Sequence, residues 1–307
     1  MRLEVFNVEH GACALITLDD GRRIAIDCGH SSSTGWTLHE HLESLGTDWL
    51  DELWLTNLDQ DHLSGLASLL GTTGIGNILL NPTITPEWLH AIKQEVGVVS
   101  RDIEALLALM RAGRVNLPFV PLPRSVSVVY GWNVCGVSFD DTNNLSLAAV
   151  VSMGSVNVLF PGDLERRGMR SVLHAPLFSN AVRNLHVLIA PHHGRENGCS
   201  QDLFDAMYPH RPQLCIISDG DMRHESQETH DWYRYRVAGV QMQDGMTRRI
   251  LTTRSDGRIT FDIPAFGLGR VTTDAEQRRL SVRASDDASR FRPSLASWSL
   301  PVPALRR

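Results

Sequence analysis

Residues 53–66, LWLTNLDQDHLSGL, set Asn57, Asp59, Asp61 and His62 directly behind an apolar run. Carboxylates crowded beside an imidazole repel one another unless a positive charge lies between them. A divalent cation supplies that charge and takes these oxygen and nitrogen donors as ligands. For this segment alone, the competing explanation is an Asp-rich polar turn capping a helix. The design recurs, however: FPGD ends in Asp163, APHHG carries His192 and His193, and IISDG carries Asp219 with His224 close behind. Four apolar strands thus deliver Asp or His at their C-terminal ends, the edge where open α/β sheets collect ligands. One shared metal site accounts for all four better than four unrelated turns do.

The elements that must position these groups are legible in the apolar periodicity. Residues 53–55 read as a buried strand, and Leu63, Leu66 and Leu69 restart the pattern at helical spacing. Residues 3–18 read as two strands broken at His10-Gly11. Asp20-Gly21 then turns a hairpin into residues 22–29, where the strand ends at Asp27. A helix is expected over 37–45. Its His39 and His41 diverge at i, i+2, make a poor metal pair and are expected on the surface. Residues 85–113 predict two helices divided near Gly97 that pack onto the sheet; a lid over a substrate groove is the alternative. Strands return from 125, with the polar loop 140–144 between two of them, and residues 248–263 read as a closing hairpin turning on Asp256-Gly257. Beyond about 268 the periodicity fades into Arg, Ser, Asp and Pro. This gives a domain over 1–267, with 85–113 as a helical insertion, and a peripheral or disordered Arg-bearing tail over 268–307.

With 307 residues, 42% hydrophobic and 21% charged, the chain is long enough for a large α/β domain. A formal net charge of −6 argues against a broadly basic surface that coats nucleic acid, though not against a local groove. Five cysteines, odd in number and without a C-x-x-C pair, fit reduced thiols rather than a disulfide framework. The N-terminus enters a strand pattern rather than a signal peptide. No apolar run approaches the about 20 residues that span a bilayer. A cytoplasmic protein without membrane association is the expectation.

Taken in order, these motifs resemble the metallo-β-lactamase superfamily, and most of all the β-lactamase-like domain of the ComEC competence protein and its free-standing relatives. VEHGACALITLDDGRRIAIDCG is similar to that group's first hairpin and TNLDQDHLSGL to its metal loop. NNLSLAAVV, FPGDLE, APHHG and RRILTTRSDGRITF follow in the family's order, so the resemblance runs through most of residues 3–263. It implies a four-layer αββα sandwich with metal ligands at the sheet edges. Carried across, Asp61 and His62 fall on ligands of the metal loop and Asp163 on the bridging carboxylate. His192 or His193 falls on the last histidine, and Asp59 on a position held by His or Asp. Asn57 stands where histidine is usual, and Asn144 lies in a loop that often supplies another; both losses fall on one metal position. A carboxamide is a weak zinc ligand but acceptable to harder Mn²⁺ or Mg²⁺. The implied cofactor is therefore Zn²⁺ or Mn²⁺, with one site intact and a second weakened.

The leading expectation is hydrolysis of a phosphodiester in a nucleic acid or small nucleotide, because a bound cation lowers the pKa of water and neutralises phosphoryl oxygens. Asp59 or Asp61 would orient or deprotonate that water. His224 would serve the leaving group or hold a phosphate, and Arg195 and Arg223 would contact phosphate, with Asn57 and Asn144 facing substrate. Two other readings remain open at this stage. One keeps the fold but cleaves an ester, thioester or lactam. The other is a binding or regulatory module on a degenerate scaffold, whose tail engages a protein partner.

Overall fold

Alternation along the strands sends neighbouring apolar residues into different cores. In β2 (Ala14–Thr17), Ala14 and Ile16 join one buried cluster and Leu15 another; in β3 (Arg23–Ile26), Ile24 and Ile26 part from Ala25 in the same way. Strands buried on both faces therefore read as continuous apolar runs. The computed structural model describes residues 1–118, 121–221, 225–264 and 269–286.

Two mixed sheets result. Besides β2 and β3, the first contains β1 (Arg2–Val5), β4 (Trp49–Trp54), β5 (Gly74–Leu79), β14 (Ile259–Asp262) and β15 (Arg270–Thr273), in the order β15-β14-β1-β2-β3-β4-β5. The second contains β6 (Val126–Gly131), β7 (Ala148–Met153), β8 (Val156–Phe160), β9 (Val187–Ile189), β10 (Leu214–Ile217) and β13 (Ile250–Thr252), in the order β13-β10-β9-β8-β7-β6. A short ribbon, β11 (Val240–Gln241) with β12 (Thr247–Arg248), stands apart.

Three cores define four layers. The inner core interleaves Leu3, Ile16, Ile24 and Trp54 of the first sheet with Val151, Val158, Ile216 and Leu251 of the second. On the outer face of the first sheet, Leu15, Leu50 and Leu53 pack against α1 (Leu38–Ser44), α2 (Gln60–Leu63), α3 (Leu66–Thr72), α4 (Pro86–Val96) and α5 (Arg101–Arg111). On the outer face of the second, Val150, Leu159 and Leu188 pack against α6 (Arg166–Val172), α7 (Pro176–Val182), α8 (Gln201–Met207) and α9 (His230–Arg234). Each fully buried aliphatic side chain contributes roughly 1.5–3 kcal/mol. The arrangement is an αββα sandwich.

The parallel runs β3-β4-β5 and β8-β9-β10-β13 matter most for function, because their C-terminal ends lie together. Two expectations fail here. Residues 248–263 are no hairpin: β13 runs parallel to β10 in the second sheet, α10 (Thr253–Asp256) follows, and β14 pairs antiparallel with β1 in the first. The Asp256-Gly257 turn thus carries the chain from one sheet to the other. Residues beyond 268 are not all peripheral either. β15 extends the first sheet beside β14, with Val271, Thr272 and Thr273 buried, and α11 (Asp274–Asp286) follows. Residues 287–307 lie outside the described residues. His41 is not on the surface, since its ring packs 4.8 Å from that of Phe6 and its side chain is 10% exposed. Among the described residues no helix is long and apolar enough to cross a membrane.

Candidate metal centre

After β4 the chain leaves the sheet through Leu55 and Thr56 and enters α2, whose first turn presents Asp61 and His62. Backbone bonds pin this loop to the ends of the first hairpin: Cys28 N donates to His62 O at 2.9 Å and Gly65 N to Cys28 O at 2.9 Å. The approach is so close that a Cβ at Gly11 or at Gly29 would lie 2.6 Å from the Asp61 carbonyl, which requires glycine at both. Asp163 follows β8 through Pro161-Gly162, and its N–H donates to Ser146 Oγ at 3.0 Å. His193 follows β9. It and His192 adopt left-handed backbone, φ 52° and 51°. Four of the five non-glycine residues with positive φ among the described ones (Glu9, Asp27, His192 and His193) border this region. Strain of this kind persists where the surroundings over-determine the geometry.

One donor atom from each of Asp61, His62, Asp163 and His193 lies within 4.8 Å of the others. His62 Nε2 is 3.1 Å from Asp163 Oδ1, while His193 Nε2 is 3.2 Å from Asp61 Oδ2 and 3.6 Å from Asp163 Oδ1. His193 Nε2 is buried yet makes no well-aligned hydrogen bond. The far nitrogens are fixed: His62 Nδ1 lies 2.8 Å from Asp27 Oδ2, and His193 Nδ1 donates to Ser218 O at 2.8 Å. Carboxylate or carbonyl support on the outer nitrogen is how metal-ligating histidines are oriented. Two imidazoles and two carboxylates, with the buried His193 Nε2 aimed at both carboxylates, fit a tetrahedral or slightly larger divalent-cation site.

The imidazoles and carboxylates of the cluster shift one another's titration strongly. Burial alone would raise the Asp61 carboxyl, but the His193 hydrogen bond and the His62 and His193 charges overcome it and hold the group at about 2. Burial works the same way on Asp163, and the His62 and His193 charges hold it well below the usual carboxylate range. Burial opposes protonation of His62, yet Asp163 and Asp27 together carry it well above an ordinary imidazole.

Other candidate residues fall elsewhere. His192 is not in the cluster; its Nε2 is 3.9 Å from Asp163 Oδ2 on another side, and burial lowers its pKa. Asp59 turns away, paired with the Lys93 ammonium and accepting from Thr142 Oγ1 at 2.8 and 3.0 Å. Asn57 is buried, its Oδ1 accepting from Asp59 N and its Nδ2 donating to Asn143 Oδ1 at 3.1 Å. Asn144 binds Asp141 and the Gly168 N–H, so it faces the protein rather than a substrate. These short polar groups satisfy local backbone and side-chain donors, which is what such residues do in loops. Asp219 supports His10 rather than the cluster, with His10 Nδ1 2.8 Å from its Oδ1. Arg223 and His224 lie outside the described residues.

His10 is the group that motif reading passed over. Its Nε2 accepts from Arg195 Nη2 at 2.8 Å and lies 3.7 Å from Asp61 Oδ2. Together with Asp61, Arg195, Arg254, Gln227 and Ser33 it lines an open cleft of 780 Å³, which the cluster reaches through Asp61. Glu9 also lies in that cleft, with its carboxyl engaged by Ser33, Ser32 and Ser31 and held at about 2. The signal for His10 was its place at the break between two strands. For Asp27 it was the same strand-ending carboxylate that marked Asp163.

No family model matches the chain. Among curated proteins, ComE operon protein 3 of Bacillus subtilis (strain 168) is 24% identical over 262 residues, covering 78% of this chain and 30% of that protein. The chain thus spans less than a third of that relative's length. The two mixed sheets and four layers form an αββα sandwich with a His/Asp cluster at its sheet edges, the architecture that the resemblance to the metallo-β-lactamase superfamily implies. Solved structures similar to this sandwich include the metallo-β-lactamase fold protein YhfI from Bacillus subtilis (12% identity, 85% of this chain and 100% of that one, TM-score 0.47). Another is CmlA, a diiron β-hydroxylase from Streptomyces venezuelae (14% identity, 85% and 54%, TM-score 0.46).

Proposed function

We propose that this chain is a metal-dependent hydrolase of phosphodiesters, using a single cation held by Asp61, His62, Asp163 and His193. The observation that carries the reading is the joining of that cluster to a cleft rimmed by Arg195, Arg254 and His10. A divalent cation bound there would lower the pKa of water toward neutrality and offset charge on a substrate oxygen. The protein's own groups do the rest. Asp27 and Ser218 hold His62 and His193 in the tautomers that present Nε2 inward. Arg195 lines the cleft, where its guanidinium can donate to a phosphoryl oxygen. Asp219 fixes the His10 ring so that Nε2 faces the same cleft. The cleft carries the Glu9, Asp61 and Asp221 carboxylates beside Arg195 and Arg254, so an anionic substrate there would draw on the charge of a bound cation as well as on the two arginines. The nucleic-acid or nucleotide character of that substrate rests on the resemblance alone.

Purified protein loaded with Mn²⁺ or Zn²⁺ tests the reading on bis-p-nitrophenyl phosphate against a p-nitrophenyl carboxylic ester. Turnover of the phosphodiester, lost with chelator, supports it; turnover of the ester alone would move the chemistry to a carbonyl centre. The hydrogen bonds that tie up Asn57 and Asn144 favour one further reading, a binding module that keeps the scaffold without turnover. Less than one equivalent of metal together with no hydrolysis would select it.

A further inference from the structure

Two residues before Asp61, the Asp59 carboxylate has both oxygens engaged and none directed at the cluster. Lys93 of α4 donates its ammonium to Oδ1, and Thr142 donates its hydroxyl to both oxygens. The Lys93 side chain is 15% exposed and that of Asp59 34%, so the pair is partly shielded from solvent. The neighbouring amides are equally committed: Asn57 Oδ1 accepts from Asp59 N at 2.9 Å and Asn57 Nδ2 donates to Asn143 Oδ1 at 3.1 Å. The helical segment 85–113 is clasped onto the loop by more than this pair. Gln60 Nε2 donates to Asp102 Oδ2 at 2.8 Å, and Ala67 N donates to Asp102 Oδ1 at 2.9 Å.

We infer that Lys93 serves as a tethered counter-cation for Asp59, closing this side of the metal loop so that the centre takes one divalent ion and not two. A monovalent ammonium on a carboxylate leaves the pair neutral. The oxygens that a hard cation would need at Asp59, Asn57 and Asn143 each already accept a bond from a protein donor, which such an ion would have to disturb. A second divalent ion would have to displace Lys93 and break the amide pair. The segment that carries Lys93 is therefore a positioning element for the metal loop as well as a packing layer.

This inference rests on the single-cation reading of the Asp61–His193 cluster, and metal stoichiometry separates the two. Metal-free protein is titrated with Mn²⁺ by equilibrium dialysis and native mass spectrometry. The wild type is expected to bind one equivalent. Lys93→Met is expected to gain a second, weaker equivalent through the freed Asp59, and Lys93→Met/Asp59→Asn to return to one. Lys93→Arg keeps the charge and remains at one, and it also serves as the folding control. Two equivalents in the wild type, or one in folded Lys93→Met, would overturn the role of Lys93 while leaving the cluster intact. No bound metal in the wild type would remove the cluster reading and this one with it.

Discussion

His62 Nδ1 lies 2.8 Å from Asp27 Oδ2, and the same carboxylate accepts from Thr56 N at 2.7 Å and from its hydroxyl at 2.5 Å. One buried side chain therefore locks a metal-facing imidazole to the end of β4. Asp27 has φ 59°, a conformation asparagine also tolerates. Asp27→Asn should then keep the backbone and the bond that Oδ1 accepts from Thr56 N, while replacing the Oδ2 acceptor that faces His62 with an NH2 donor and removing the charge behind the ring. Support of this kind is typically worth 10–100-fold in metal affinity, roughly. Competition against a chromophoric chelator should show a loss of that size; an unchanged affinity would detach Asp27 from the site.

Asp163 is the hub of the cluster, within reach of His62, His193 and, farther off, His192. Asp163→Ala removes the carboxylate that neighbouring imidazoles face, leaving a donor set of mostly neutral ligands. Metal content after purification without chelator, read beside phosphodiesterase turnover, should fall to background in both measures together. A metal-replete, active variant would refute the assignment.

Arg195 meets His10 at 2.8 Å and lies at the cleft, outside the cluster. Its removal should weaken substrate binding more than the chemical step. Hydrogen bonds to charged groups are worth about 1.5–3 kcal/mol, so Arg195→Ala should raise KM for bis-p-nitrophenyl phosphate at least about tenfold. Arg195→Lys should restore only part of this, because a point charge lacks the planar fork. Steady-state kinetics with metal content held equal would check it, and a drop in kcat alone would count against a binding role.

How much of this was legible from residues alone differs by element. Apolar runs ending in Asp or His betrayed the strands and the cluster because buried parallel strands leave polar groups only at their ends, so Asp61, His62 and Asp163 stood out. Which of His192 and His193 turns inward depends on two consecutive left-handed residues, and nothing in the sequence of APHHG encodes that choice. The 248–263 segment misled because Asp-Gly is a strong hairpin signal, whereas β13 and β14 pair with β10 and β1, partners distant in sequence. Lys93 was hidden for a related reason. On its own helix it is one charge among several, and only tertiary packing brings it to Asp59, 34 residues away.

The pair His186 and His210, away from the metal centre, gives a pH dependence of stability that the site does not control. Burial, and then the neighbouring His210 ring, lowers the His186 pKa to about 4, while its Nδ1 accepts from Asn157 N at 3.0 Å as a neutral imidazole must. An unfolded histidine titrates near 6.5, approximately. Between those values the unfolded chain takes up a proton here that the native chain refuses. Stability therefore falls as pH drops from about 6.5 toward about 4, and above that window this contribution is fully present and constant. His186→Asn keeps an acceptor for Asn157 but cannot titrate, so its stability should decline less steeply over the same range. Urea unfolding midpoints of wild type and variant, both in chelator so that the cluster contributes equally, measure the difference. Parallel curves across the window would show that His186 does not stay neutral in the native protein.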